Sequence, residues 1–468
     1  VSLPAGLLRA LPGRVLADAS SLQQYARDAS PFRVVPQAVV VAEDDSDVEL
    51  AVTRCAEAGM SLTVRSGGTG LAGQSIGAGV ILDVGSLPAP VEVLRDGSAV
   101  RAAAAATVDA VNDALAPYRR RLGPDLTSSD RARVGGIVGT NACGAGSNWF
   151  GRTADGLLGL EMVDGAGTRR VLRRHGASSD DDRPHGVRRG PAGFAGDDAG
   201  ALCGSEGTLG IVVSATFRTY PLEPSAVGVL VFDDVRRAVE AVPAILERDP
   251  YAVELMDRLA LRGRWPGDPP AVLVVEMHGE TAPDAEAAFW QLGIPGAVVD
   301  AGIDASAQDS ASGLRRSVLA ELLPSDGRRP VALIEDARVP VERLPELVSG
   351  IEAVAARLDI ELVLYGHAAA GALHLRPLLD LRREDHRRTA VALVADHADL
   401  VLSLGGALSS EHGLGLARTW LVEREFSSAT VESWRRLKAE FDPAGILNPG
   451  RVIPDRETFP AELLAGEG

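Results

Sequence analysis

Val64-Arg65-Ser66-Gly67-Gly68-Thr69-Gly70-Leu71-Ala72-Gly73-Gln74-Ser75 is the stretch on which the reading of the fold turns. Its glycines let the backbone bend sharply and approach a bulky anion without a Cβ in the way. Successive N–H groups in such a loop can converge on a pyrophosphate as an anion nest. The spacing is neither the GxGxxG of a Rossmann unit nor a Walker loop, because no Lys-Ser/Thr pair closes it. Alone, the stretch also reads as a glycine-rich surface turn. Its surroundings read as β-α-β. Residues 38–42 (AVVVA) predict a strand. Residues 45–59 predict a helix, with Val48, Ala51, Val52, Cys55 and Ala56 at helical spacing and Gly59 as its stop. Residues 62–65 and 80–84 predict the flanking strands.

Two later segments share the small-residue character. One is Val134-Gly135-Gly136-Ile137-Val138-Gly139-Thr140-Asn141-Ala142-Cys143-Gly144. The other is Cys203-Gly204-Ser205-Glu206-Gly207-Thr208-Leu209-Gly210-Ile211-Val212, a turn entering a strand. Small side chains at such places let a flat, extended ligand lie against bare backbone.

The 468 residues are too many for one core and indicate two or three packed units. No segment is apolar for long enough to span a bilayer, and the first ten residues read as a frayed helix rather than a signal peptide. A net charge of −17 disfavours nucleic acid as a partner. It leaves room for an anionic substrate, since a local Arg dominates at short range. The cysteines Cys55, Cys143 and Cys203 are isolated and form no CxxC pair. That argues against a disulfide scaffold, a cysteine-rich zinc site and an iron–sulfur cluster, and it suits the cytoplasm. Residues 173–200 read as a polar surface excursion, and residues 227–232, 271–277 and 331–335 as strands of a second unit. The division expected is 1–222, 223–404 and 405–468.

The combination of VRSGGTGLAGQS, GGIVGTNACGAG and GSEGTLGIV resembles the FAD-binding domain of the vanillyl-alcohol oxidase/p-cresol methylhydroxylase superfamily. Within it the chain is similar to the D-lactate, glycolate and D-2-hydroxyglutarate dehydrogenase branch, from about residue 30 to 455. The resemblance implies an α+β chain: a two-part FAD-binding domain, a cap domain with a largely antiparallel sheet, and a C-terminal segment returning to the first domain. It implies that Ser66, Gly67, Gly68, Thr69 and Gly70 bind the FAD pyrophosphate. Ser75, Pro124, Gly135, Gly136, Gly139, Asn141, Glu206, Gly210, Ile211 and Asn448 match further positions along the cofactor. The loop has no His or Cys for covalent attachment, so FAD is expected to be non-covalent.

Of the eight histidines, His175, His185 and His386 lie in polar runs, and His278 and His397 have no informative setting. The others fall in two motifs, Gly366-His367-Ala368-Ala369-Ala370-Gly371-Ala372-Leu373-His374-Leu375-Arg376 and Ser410-Glu411-His412-Gly413. Residues 362–367 and 372–376 predict a hairpin about the Ala-Ala-Ala-Gly turn, with His374 and Arg376 on one sheet face. Residues 400–404 predict a strand before the second motif. Two neutral imidazoles and a carboxylate suit Zn²⁺ or a similar ion with a coordination position left open. Spacing alone equally allows hydrogen-bonded structural histidines.

The resemblance assigns His367, His374 and Glu411 as metal ligands and His412 as the base beside the flavin. It matches Arg315 to a carboxylate-binding residue. The chain departs from the pattern at Ala370 and Ala372, where the family often has Asp and Asn, so weaker metal binding is expected. Arg376 replaces a common Asn and suits a diacid or a bulkier anion, or else is an ion-paired residue. Ile334 stands where the family has a Lys, against a faithful D-2-hydroxyglutarate enzyme. The implied activity is oxidation of a small 2-hydroxy acid, the D form by analogy, with hydride passing to flavin N5. Two alternatives stand beside it: metal-independent oxidation of an alcohol, amine or sugar, and an FAD-binding subunit without chemistry of its own. The electron acceptor is open between oxygen, a quinone and a separate electron-transfer protein. A homodimer is also open.

Overall fold

Strand Ala38–Val41, helix Asp45–Ala58 and strand Leu62–Arg65 follow one another as the periodicity requires. The computed structural model describes residues 5–174, 193–263, 265–300 and 326–465. The helix starts where the Asp44 carboxylate accepts from the N–H groups of Ser46 and Asp47. It buries Val48, Ala51, Val52 and Cys55 on one face and ends at Gly59, whose φ of 61° suits a residue without Cβ. Val80–Asp83 lies between the two strands and is parallel to both. The loop from Ser66 onward therefore leaves the carboxyl end of a parallel edge strand whose first two residues are buried.

A second sheet runs Val91–Leu94, Ala99–Ala103, Ile211–Arg218, Leu157–Val163, Arg169–Arg173, antiparallel throughout. Ile211–Arg218 alternates buried and half-buried residues, the pattern of a strand with one covered face. Helix Val134–Thr140 packs on it. Gly135 permits that approach, because a Cβ there would lie 3.0 Å from the Ala104 Cβ.

The third sheet is the cap. Its order is Val298–Asp300, Ser225–Phe232, Ala271–His278, Ala252–Asp257, Leu362–His367, Ala372–Leu379, Arg329–Pro330, with Ile334–Arg338 also paired to Ala372–Leu379. Every pairing in it is antiparallel. Helices Val235–Leu246, Leu344–Leu358 and Glu384–Ser403 share a core with Val253, Leu364, Leu373 and Leu375 from one face. The strand period then turns Glu254, Tyr365, His367, His374 and Arg376 to the other. After the cap the chain returns. Trp434 and Phe441 of helix Ser428–Phe441 enter the core of the second sheet. Leu62 N–H donates to Ile446 O and Asn448 N–H to Leu62 O, both at 2.8 Å.

Two strand expectations need correction. Residues 400–404 are the end of helix Glu384–Ser403. Leu393, Val394, Ala398 and Val401 are buried at helical spacing that begins well upstream, whereas the short apolar run alone fits either period. Residues 331–335 are displaced: the strand is Ile334–Arg338, because Arg329–Pro330 already pairs at the sheet edge and the chain turns between them. The predicted excursion falls largely on residues 175–192, and Arg315 on 301–325; both lie outside the described residues.

The hairpin of residues 362–379 closes through Gly371 at φ 70°, where a Cβ would meet the Val339 carbonyl oxygen at 2.0 Å. Gly371→Ala is expected to lower stability by about 1–3 kcal/mol, the range for overpacking with backbone strain. Urea unfolding of the pure protein measures this.

Candidate active site

A cavity of about 660 Å³ opens between the cap sheet and the first two sheets. One wall is Ser66, Gly67, Gly68, Thr69 and Gly70 with Gly135, Gly136 and Gly139. The opposite wall is the inner face of the cap: Glu254, Met256, Tyr365, His367, His374 and Arg376. Glu411 and His412 close one end. Sheet register explains the second wall. Met256 pairs with Tyr365, Tyr365 with His374, and Glu254 with His367 across three adjacent strands.

Three ring nitrogens converge on one carboxylate oxygen. Glu411 Oε1 lies 3.1 Å from His367 Nε2, 3.2 Å from His374 Nε2 and 3.4 Å from His412 Nε2. The other oxygen, Oε2, accepts from Gly144 N–H at 2.9 Å. Ligand atoms of His367, His374 and Glu411 lie within 4.8 Å of one another. Their side chains are 12%, 7% and 6% exposed, so the group is shielded from bulk water. His367 Nδ1 faces the Glu254 carboxylate at 2.8 and 3.0 Å, and His374 Nδ1 meets the Glu335 carbonyl oxygen. Both Nε2 atoms are thereby left to face the centre, the carboxylate–histidine support that orients metal ligands.

His412 is held differently. Its Nδ1 contacts the carboxylate of Glu335, which also accepts from Arg418 Nη2 at 2.5 Å. The neighbouring Asp336 accepts from Ser409 Oγ (2.6 Å), Ser410 Oγ (2.8 Å), Glu411 N–H (2.9 Å) and His412 N–H (3.0 Å). Glu335 and Asp336 are both 0% exposed. A bulge between Ile334 and Ala337 lets consecutive side chains serve the same loop. On the far side of that loop Glu206 accepts from Leu414 and Gly415 N–H. Gln74 Nε2 donates to the His412 carbonyl.

Burial and charge pull against each other in this cluster. Burial alone would lower the His412 imidazole, but Glu335, Asp336 and Glu411 outweigh it and raise it to about 9. Burial opposes a charge on His367 too, and Glu254 and Glu411 lift it well above the usual histidine range. Glu411 is driven the other way: burial would raise it, and His367 and His412 hold it well below the usual carboxylate range. Glu206 is raised to about 7 by burial, with its two backbone donors pulling it back.

Of the residues singled out from sequence, Ser66 to Gly70, Ser75, Gly135, Gly136, Gly139, Glu206, Gly210, His367, His374, Arg376, Glu411 and His412 line the cavity. Pro124, Asn141, Ile211 and Asn448 do not border it. Asn141 ends its helix at φ 52° and accepts from Ala154 N–H. Asn448 donates to the carbonyls of Gln74 (2.9 Å) and Glu206 (2.7 Å), pinning the glycine-rich loop to the turn beside it. Gly210 borders the cavity, and a Cβ there would also approach the Val163 carbonyl oxygen to 2.8 Å, so backbone packing favours glycine at this position. Sequence reading missed Glu254, Glu335, Asp336 and Arg418 as partners. Glu335-Asp336 carried a faint signal, a paired acid inside an otherwise apolar strand.

The residues present fit both implied groups. Gly67 lies against the Arg131 carbonyl, which a Cβ would approach to 2.5 Å, and Gly68 has φ 63°. The wall is a cradle that side chains would fill, as a dinucleotide needs. Two imidazoles and one carboxylate, each with its other atom tied back, match an open divalent-ion site.

Residues 36–173 match the FAD binding domain model, and residues 222–452 match the model of the C-terminal domain of FAD linked oxidases. The chain belongs to the FAD-linked oxidase superfamily. It is 28% identical to a D-2-hydroxyglutarate dehydrogenase of Pseudomonas putida over 94% of this chain, but spans only 50% of that relative's length. It is 27% identical to the glycolate oxidase subunit GlcD of Bacillus subtilis, covering 92% of both chains. A D-lactate dehydrogenase of Archaeoglobus fulgidus is 28% identical over 92% of this chain and 95% of its own. Among solved structures, p-cresol methylhydroxylase superposes with a TM-score of 0.74 at 16% identity, covering 96% of each chain. At that identity the likeness speaks for the fold: an FAD-binding architecture with an antiparallel cap.

Glu254 is the residue to test at this site. For a divalent ion held by His367, His374 and Glu411, Glu254→Gln would weaken affinity about 10- to 100-fold, the range for losing a carboxylate behind a ligating histidine. Competition with a chromophoric chelator reads the affinity directly.

Proposed function

We propose that this FAD-linked oxidase oxidises a small 2-hydroxy acid to the 2-oxo acid, assisted by a divalent cation, Zn²⁺ or similar, at His367, His374 and Glu411. The observation that carries the reading is the placement of these three residues and His412 at one end of the cavity that the glycine-rich loops line. The names of the relatives support a hydroxy acid, and the D form among its enantiomers.

When bound, FAD supplies the hydride acceptor, and a divalent cation acidifies an attached hydroxyl as it does water. The chain does the rest. Arg376 places a cationic fork on the cavity wall two residues from His374, suited to a carboxylate. Arg315, outside the described residues, is a second candidate for that task. His412 Nδ1 is engaged by Glu335, so Nε2 is the atom that takes the hydroxyl proton when the ring is in its neutral form. The buried, charge-paired surroundings hold that ring in place, so it needs no reorganisation as the proton moves. Apolar lining at Leu71, Leu126 and Met256 limits water near the reacting carbon.

No described helix is long and apolar enough to cross a membrane. The three cysteines are free and buried, in keeping with a reducing cytoplasm.

His412→Ala should slow anaerobic flavin reduction by substrate at least about 100-fold, the scale for loss of a general base. FAD content should stay at the wild-type level. Stopped-flow absorbance of the flavin reports the rate, and near-normal reduction would remove His412 from the mechanism. Chelation should slow the same reaction and added Zn²⁺ should restore it; a metal-free protein of full activity would reject the cation.

A further inference from the structure

Arg376 is only 3% exposed, yet it borders the cavity. Its Nε donates to the Tyr365 hydroxyl oxygen at 3.2 Å. Among the described residues its two terminal amino groups have no hydrogen-bond partner, and the guanidinium makes no ion pair. Glu335 lies near enough to act on Arg376 electrostatically, but its oxygens are given to His412 and Arg418 and leave the terminal nitrogens of Arg376 without a direct partner. A guanidinium this deeply buried is costly unless an anion answers it. Tyr365 tells the same story from its own side. Its oxygen accepts from Arg376, so its proton is free to donate, and the side chain lines the same cavity. Register places Tyr365 directly opposite His374, with the rings 5.1 Å apart. Arg376 follows His374 by two residues on the same face.

We infer that Arg376 and Tyr365 form a carboxylate clamp. The terminal nitrogens of Arg376 and the hydroxyl of Tyr365 donate to one carboxylate, next to the imidazole of His374. Tyr365 is thus a substrate-positioning residue, and Arg376 carries the substrate's negative charge. The ligand class follows from the spacing: a short acid with an oxygen on the adjacent carbon, so that the carboxylate meets the clamp while that oxygen faces His367 and His374. A neutral amide or ester of the same acid leaves the guanidinium unanswered and is rejected. This inference rests on the proposed oxidation of a 2-hydroxy acid, and it adds the Tyr365 donor and the discrimination by charge.

The test separates binding from turnover. The FAD-loaded full chain is titrated calorimetrically with 2-hydroxy-2-methylpropanoate, which has the hydroxyl and carboxylate but no hydrogen on C2, and with its neutral amide. Wild type is expected to bind the acid and not the amide. Tyr365→Phe should weaken acid binding about 10-fold, the effect of one hydrogen bond to a charged group. Arg376→Gln should weaken it about 100-fold, and Arg376→Lys should recover part of the loss, keeping charge without the planar fork. FAD content and flavin absorbance measured alongside verify that each variant is folded. Equal binding of acid and amide by wild type would overturn the clamp, as would unchanged acid affinity in the folded variants. So would a change confined to FAD retention. Anaerobic bleaching by 2-hydroxy acids tells the two readings apart. Charge-dependent binding without bleaching by any acid sinks the oxidation and keeps the clamp. Bleaching whose concentration dependence is the same in wild type and both Arg376 variants sinks the clamp and keeps the oxidation.

Discussion

Two adjacent carboxylates, Glu335 and Asp336, sit wholly out of water, and the site hangs on how they are answered. An unpaired buried carboxylate costs several kcal/mol. Here every cost is met by a group the chemistry uses or a group that holds it. Asp336 takes two serine hydroxyls and two backbone N–H groups from one loop. Glu335 takes Arg418 on one side and the His412 ring on the other. Because those partners come from the segment after the cap and the acids come from within it, the pair welds the loop of Glu411 and His412 to the cap sheet. Removing either acid would leave cations and donors buried without partners, which is why the arrangement is held as a unit.

The same loop is tied equally firmly to the other wall. Glu206, Gln74 and Asn448 form a chain of contacts from the turn before Ile211, through the glycine-rich loop, to the C-terminal segment. Glu411 divides its oxygens between the two sides, Oε1 toward the imidazoles of the cap and Oε2 on Gly144 N–H. The glycine-rich wall, the His367–His374–Glu411 cluster and His412 are thus positioned by one hydrogen-bonded frame rather than by three separate elements.

At Ala370 and Ala372 the chain lacks polar side chains that could support the neighbouring histidines. Read along the chain, the loss of two polar residues suggests poorly supported ligands. In the folded protein the support comes from elsewhere: Glu254 backs His367 from 113 residues away, and the Glu335 carbonyl backs His374 from 39 away. The two alanines are buried in the tight turn of the hairpin instead. The misread strand at residues 400–404 has the same origin. Five apolar-rich residues carry too little periodicity, and the helix they finish is defined by contacts with Leu344–Leu358 and the cap strands.

Short-range order in the chain was enough to read the β-α-β entry, the glycine-rich loop and the hairpin that brings His367 and His374 onto neighbouring strands. Those features depend on neighbours within one turn or one strand, where φ preference and side-chain period act directly. Which acids stand behind which imidazoles, why Arg376 makes no direct ion pair among the described residues and where Tyr365 points emerged only when distant strands came into register. Pairings of that kind are set by the packing of whole sheets and by the need to satisfy every buried charge, and no local stretch of residues encodes either.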